Sequence, residues 1–226
     1  MVRRLRHLQR ERDPMRQLNP NMVHAVLAIL VEGTVGGKPG YTTGTAFLVP
    51  QGILTAYHTL KQAGDNIKIF VYHPDIGECR AELVAKDERK DLALLRLKAK
   101  RKWTEDRVQL LFSKHLRLPN QDFIEEDTPV FMIGCLPPKE PLVVGGFFRH
   151  DLDPRDEYIS LTPITPDPDA ARTSFTCTFS PPGFSGGPVL LTDGSVISVI
   201  LTWQQFFGET RGTTLSQLRE FLAKQS

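Results

Sequence analysis

A serine stands between glycines in the run Gly183-Phe184-Ser185-Gly186-Gly187-Pro188. In a turn of this kind a hydroxyl projects from the backbone while backbone N–H groups face a single oxygen. Acyl transfer needs both parts: an attacking oxygen, and donors for the negative charge that develops on the attacked carbonyl. It also needs a base to take the hydroxyl proton and a third group to orient that base. The candidates are His58, carried at the end of a short apolar run from Ile53 to Ala56, and Asp91, at the junction between the charged turn Lys86-Asp87-Glu88-Arg89-Lys90 and the apolar run that begins at Leu92. Taken singly, each has a plainer reading: a structural histidine, a turn aspartate, a tight glycine turn.

Chain order separates the possibilities. A serine between glycines also marks the nucleophile elbow of α/β-hydrolases, whose triads run serine, acid, histidine. All six histidines here precede Ser185, so that order is excluded. The subtilisin order, acid before histidine, leaves only Asp13 in a basic leader. Histidine, aspartate, serine remains, which is the chymotrypsin order.

The elements that must position these residues read as short strands. The chain has 226 residues, 40% of them apolar, enough for one large or two small cores. Seventeen glycines and seventeen prolines between short apolar runs favour strands and turns over long helices. Expected strands are 23–31, 45–49, 53–56, 67–72, 80–86 and the run from Leu92, then 128–133, 142–148, 158–162, 173–179, 189–191, 195–203 and 212–215, with loops at 98–127, 151–157 and 163–171. The reading is all-β, two packed six-stranded antiparallel barrels over 21–110 and 111–215, followed by a C-terminal helix over 216–226 capped by Ser216.

A net charge of +2 gives no whole-chain field for nucleic acid, and the arginine-rich leader 1–20 lacks interleaved aromatics. No apolar run approaches the roughly 20 residues of a membrane span, and no hydrophobic stretch follows the basic leader, so neither membrane nor secretion is expected. Cys79, Cys135 and Cys177 are odd in number and widely spaced, which fits reduced cysteines in a cytoplasmic protein better than disulfides or metal ligands. No cofactor or metal is expected.

The blocks Thr55-Ala56-Tyr57-His58, Lys90-Asp91-Leu92-Ala93-Leu94-Leu95 and Gly183-Phe184-Ser185-Gly186-Gly187-Pro188 resemble the three signature blocks of trypsin-like, chymotrypsin-fold serine peptidases. The Asp91 block and Met132-Ile133-Gly134 look most like the HtrA/Deg branch, and no PDZ module is expected after Leu222. The resemblance implies an endopeptidase acting on protein or peptide substrates, with Ser185 as nucleophile, His58 as base and Asp91 as its orienting acid. It implies an oxyanion hole from the N–H groups of Gly183 and Ser185, and a substrate cleft formed by Phe179, Ser180, Thr202, Trp203, Gln204 and Gly212. Thr202 matches the hydroxyl residue that supports the buried acid, and Trp203-Gln204 the edge that pairs with substrate backbone.

The departures carry information too. Phe184 stands where relatives activated by N-terminal cleavage carry an acid, so that switch is absent. Phe179 at the position of the pocket floor disfavours cleavage after lysine or arginine and favours small or apolar side chains. Thr59 and Pro181 stand near where secreted relatives carry disulfides. The missing switch and the long loops keep a second class open: a triad-bearing scaffold, idle alone, that an activating partner or larger assembly orders.

Overall fold

The computed structural model describes residues 20–98, 109, 111–125, 128–136, 140–152, 172–177, 183–204 and 209–225, with backbone alone in parts of the strands between 136 and 209. A 3-10 turn at Pro20–Ala25 leads into β1 (Val26–Val35), β2 (Lys38–Val49) and β3 (Gly52–Ala56), then a one-turn helix, α1 (Tyr57–Lys61). β4 (Asp65–His73), β5 (Gly77–Asp87) and β6 (Leu92–Leu97) follow. The second half holds β7 (Pro129–Leu136), β8 (Glu140–Leu152), β9 (Arg172–Cys177), β10 (Pro188–Leu190), β11 (Val196–Gln204), β12 (Glu209–Thr213) and a terminal helix, α2 (Leu215–Ala223).

The first sheet is a closed barrel in the order β1-β2-β3-β6-β5-β4, every neighbour antiparallel. The second has the order β10-β11-β12-β9-β8-β7, and the short β10 also returns to β7 at Val189↔Met132 and Leu190↔Phe131. β7 is the wall between them. Its Phe131, Ile133 and Cys135 pack in one core with the first barrel, while Val130 and Met132 face a separate core with Phe184, Val189, Ile197 and Ile200. The alternation follows from the period of two along a strand buried on both faces.

The expected strands of the first half are found, with β1 and β2 longer than their apolar runs. Val35↔Lys38 is the last pair before the turn at Gly36-Gly37, so the glycine-rich stretch 35–44 is mostly strand. β8 continues to Leu152 through Arg149 and Asp151 because they pair with Ser174 and Thr173 of β9. Ladder bonds outweigh side-chain polarity there. The last strand is 209–213 rather than 212–215. The expected strand at 158–162, the leader and the loop 163–171 lie outside the described residues.

The terminal helix starts earlier than expected, and Thr214, not Ser216, is its cap. Thr214 has a glutamine three residues on: its hydroxyl accepts from Gln217 N–H at 3.2 Å, and Gln217 Oε1 accepts from Thr214 N–H at 3.0 Å. That reciprocal pair satisfies two donors, which Ser216 has no partner to match. Leu218, Phe221 and Leu222 seat the helix on the shared core. Among the described residues no helix is long and apolar enough to cross a membrane.

His73, at the end of β4, is buried, and both ring nitrogens are used in the neutral state. Nε2 donates to the His24 carbonyl at 2.9 Å, and Nδ1 accepts from the Asp75 N–H at 3.1 Å. Burial lowers its pKa below the ordinary 6.5, opposed by the bond to the His24 carbonyl and by the Asp75 carboxylate, while the charges of Lys114 and of the His24 side chain add to the lowering. The unfolded chain therefore binds this proton first as pH falls. The His73 contribution to stability is whole above its unfolded value and is lost below it. The urea midpoint should drop between about pH 7.5 and pH 5.5, and His73→Gln, less stable at the upper pH, should flatten that drop; an unchanged slope in the variant would remove His73 as its source.

Candidate active site

The pairing Ala56↔Leu92 sets the end of β3 beside the start of β6, so the residues just beyond each strand meet. Asp91 takes φ +60°, a left-handed conformation that costs a non-glycine residue roughly 1–2 kcal/mol. Three bonds hold it there. Its carbonyl accepts from Tyr57 N–H at 3.1 Å, its Oδ1 accepts from His58 N–H at 2.7 Å, and its Oδ2 lies 2.6 Å from His58 Nδ1. The first two amides of α1 thus find their acceptors on another strand, where no side-chain cap of their own exists. The Asp91 side chain is 4% exposed and the imidazole 14%. With Nδ1–H given to the carboxylate, Nε2 carries the lone pair and is the atom able to accept a proton.

The turn before Asp91 is tied down as well. Asp87 Oδ1 accepts from Lys90 N–H at 3.0 Å, and Lys90 Nζ bridges Asp87 at 3.3 Å and Glu220 of α2 at 2.8 Å.

The serine turn lies against β2 and β3 of the first barrel. Gly186, at φ +86°, approaches so closely that a Cβ there would stand 2.2 Å from both the Thr45 carbonyl and Thr55 Oγ1, and 2.9 Å from Ala56 N, two residues before His58. A Cβ on Gly44 would meet Thr59 Cγ2 at 2.8 Å and the Ser185 carbonyl at 2.9 Å. The serine turn therefore packs on Thr55, Ala56 and Thr59, the residues that flank His58 in the chain. Phe184 C=O accepts from Gly187 N–H at 2.9 Å, which turns the N–H of Ser185 the other way in the same peptide plane. Ser185 is half-buried, and its Oγ donates to the Leu201 carbonyl at 3.4 Å; no hydrogen bond joins it to His58. Gly183 sits at φ +103° with its carbonyl accepting from Thr45 Oγ1 at 2.6 Å.

Phe184 fills the place of the missing acid with an apolar anchor. It is 1% exposed, in the core of the second sheet. Its ring lies flat on Gly134, where a Cβ would stand 2.3 Å from two ring carbons.

Of the remaining predicted site residues, Phe179 and Ser180 lie outside the described residues. Thr202 follows Leu201 on β11 opposite Arg211, and no hydrogen bond joins it to Asp91. Trp203 and Gln204 pair with Thr210 and Glu209 at the end of the β11–β12 hairpin. Gly212 is placed by strand packing, since a Cβ there would lie 2.1 Å from Ser198 Oγ. Thr45 and Gly134 were not foreseen. The signal for Thr45 was one hydroxyl in the otherwise apolar run 45–49; Gly134 stood only as part of the Met132-Ile133-Gly134 block, with no role of its own read for it. Cys79 and Cys135 are buried, and burial pushes the Cys135 thiol up to about 12, so it is no competing nucleophile. His24, His73 and Asp75 bring three ligand atoms within 4.8 Å of one another, but both nitrogens of His73 are already bonded, which leaves no lone pair for a metal.

Removing the ring should be costly. Phe184→Ala is expected to lose about 3–5 kcal/mol in urea unfolding, as for a buried aromatic leaving a cavity. Phe184→Asp should be worse, because the acid would be buried with no cation from a chain terminus. Wild-type stability in Phe184→Asp would show that a partner for that carboxylate exists.

Residues 44–199 match the model of the trypsin-like peptidase domain. No curated protein matches the chain in sequence. Among solved structures it is similar to the Rv3671c protease from M. tuberculosis in its active form, at 20% identity over 94% of this chain and 86% of that one, with a TM-score of 0.67. The inactive form of that protease matches at 20% identity with a TM-score of 0.65, covering 94% of this chain and 95% of that one. A serine-to-alanine mutant, also inactive, gives the same identity and score over 94% and 93%. At this identity the likeness is one of fold, chymotrypsin-like, whereas the family rests on the match over residues 44–199: the chain belongs to the trypsin-like peptidase domain family and is a serine peptidase.

Proposed function

We propose that the chain is a two-barrel, cytoplasmic serine endopeptidase that cleaves a protein substrate through an acyl-enzyme on Ser185. The observation that carries this reading is the grip of Asp91 on His58, with the Ser185 turn packed against β3, the strand that leads into His58. Rotation about Cα–Cβ releases the Ser185 hydroxyl from the Leu201 carbonyl toward Nε2. Ser185 Oγ then bonds to the scissile carbonyl carbon as its proton passes to His58. The tetrahedral oxyanion is held by the N–H groups of Ser185 and Gly183. His58 returns the proton to the leaving amine as the C–N bond breaks, and a water repeats the sequence to free the acid. The Trp203-Gln204 end of β11 offers a strand edge for an extended substrate segment. Cys135, a buried free thiol, supports the reducing compartment.

A second reading rests on the Ser185 hydroxyl itself. Its bond to Leu201 in place of His58 fits a site idle until a partner protein or larger assembly resets the turn.

A fluorophosphonate probe should label the isolated chain, Ser185→Ala should abolish labelling, and Asp91→Asn should slow it by about 10⁴-fold, since the amide stabilises the wrong tautomer. Labelling that survives in Ser185→Ala would place the nucleophile elsewhere; labelling that appears only with a partner would favour the second reading. In peptide-library cleavage the preferred residue before the scissile bond should be small or apolar, and Phe179→Asp should move the preference toward lysine or arginine. An unmoved preference would take Phe179 off the pocket floor.

A further inference from the structure

Three successive carbonyls of the serine turn have fixed donors, and two of those donors belong to one residue of the other half of the molecule. Thr45 Oγ1 donates to the Gly183 carbonyl at 2.6 Å and Thr45 N–H donates to the Ser185 carbonyl at 2.8 Å; Gly187 N–H serves the Phe184 carbonyl between them. A hydroxyl has a single proton, and here it is committed to the turn, while an oxygen lone pair accepts from Cys135 N–H of β7 at 2.8 Å. Thr45 is fully buried, and its own carbonyl accepts from Thr55 Oγ1 at 2.7 Å, on the strand that carries His58.

We infer that Thr45 is a positioning residue for the nucleophile: its hydroxyl holds the 183–184 peptide plane and its amide the 185–186 plane, the two that flank the 184–185 plane carrying the Ser185 N–H, so that the aim of that N–H and of the Ser185 side chain is fixed. This rests on the peptidase reading and adds to it. The clamp spans the two halves, so the serine turn is registered against the histidine strand through Thr45 and Thr55 rather than through a cleaved chain terminus. Removing the hydroxyl leaves the Gly183 carbonyl and Cys135 N–H without their partner in a dry site, and the 183–184 peptide loses its fixed orientation. The Ser185 N–H, on the plane between the two held ones, is needed by the oxyanion and not by the ground-state substrate, so the loss falls on kcat rather than KM.

The test compares Thr45→Val, of the same shape without the hydroxyl, with Thr45→Ser, which keeps it. Thr214→Ala, which removes the cap of α2, is the control for stability. On a cleaved peptide, Thr45→Val should lower kcat about 10- to 100-fold at nearly constant KM, below the full loss of an oxyanion donor. Thr45→Ser should stay within about threefold of wild type; Thr214→Ala should lower Tm and spare kcat. Should Thr45→Val not fold, Thr45→Cys, a weak donor, gives the same contrast with Thr45→Ser. Amide hydrogen exchange across 183–187, faster in Thr45→Val and not in Thr45→Ser, reads the clamp without activity. Wild-type kcat in Thr45→Val, or equal losses in Val and Ser, overturns the inference. Absent fluorophosphonate labelling of wild type with normal exchange differences would sink the peptidase reading and leave the clamp standing.

Discussion

A carboxylate taken out of water must be given donors, and the pairing of Asp91 with residues 57 and 58 is the interaction around which the site is built. At 3% exposure Asp91 is costly unless its oxygens are bonded and its charge is faced by a group able to carry the opposite one. It finds both at the start of α1, a helix so short that its own amides need outside acceptors. The needs are reciprocal. The result is an imidazole with one nitrogen tied and the other presented, held by backbone as much as by side chain. The left-handed backbone of Asp91 is tolerated because these bonds over-determine it.

Uniting this pair with a serine from the other half requires two sheets to meet closely, and small residues make that possible. Gly44 and Gly186 let the backbones of the serine turn and the first barrel approach within a distance that any side chain would prevent. Packing then does what charge does in relatives switched on by cleavage. Phe184, seated on Gly134, ties the turn into the second core from below, and bonds from the first barrel hold it from the side. An apolar anchor does not titrate and needs no new terminus, so the shape of the turn is a property of the folded chain itself.

How much of this was legible from the residues varies with the kind of interaction. The strands of the first half were legible because their apolar runs are short, β-branched and punctuated by turns, and because β3 and β6 are buried on both faces. β8 was underread at its far end, where Arg149 to Leu152 join the sheet through backbone pairing that leaves no mark on composition. The terminal helix was found but its cap was misplaced, since Ser216 and Thr214 are both good caps and only the glutamine at the third position distinguishes them. The absence of an acid before Ser185 was plain in the chain; that Phe184 lands on Gly134 was not, because nothing local links positions 50 residues apart.

The linear order of His58, Asp91 and Ser185, and the three blocks around them, were sufficient by themselves to identify the class of chemistry and exclude rival triad orders. That holds because triad order follows chain topology, and topology is written in sequence. Which hydrogen bond each carbonyl of the turn accepts, the rest position of the Ser185 hydroxyl on Leu201, and the clamp from Thr45 were decided only in three dimensions. The clamp joins segments some 140 residues apart, and its geometry depends on how two sheets settle against each other to within a fraction of an ångström.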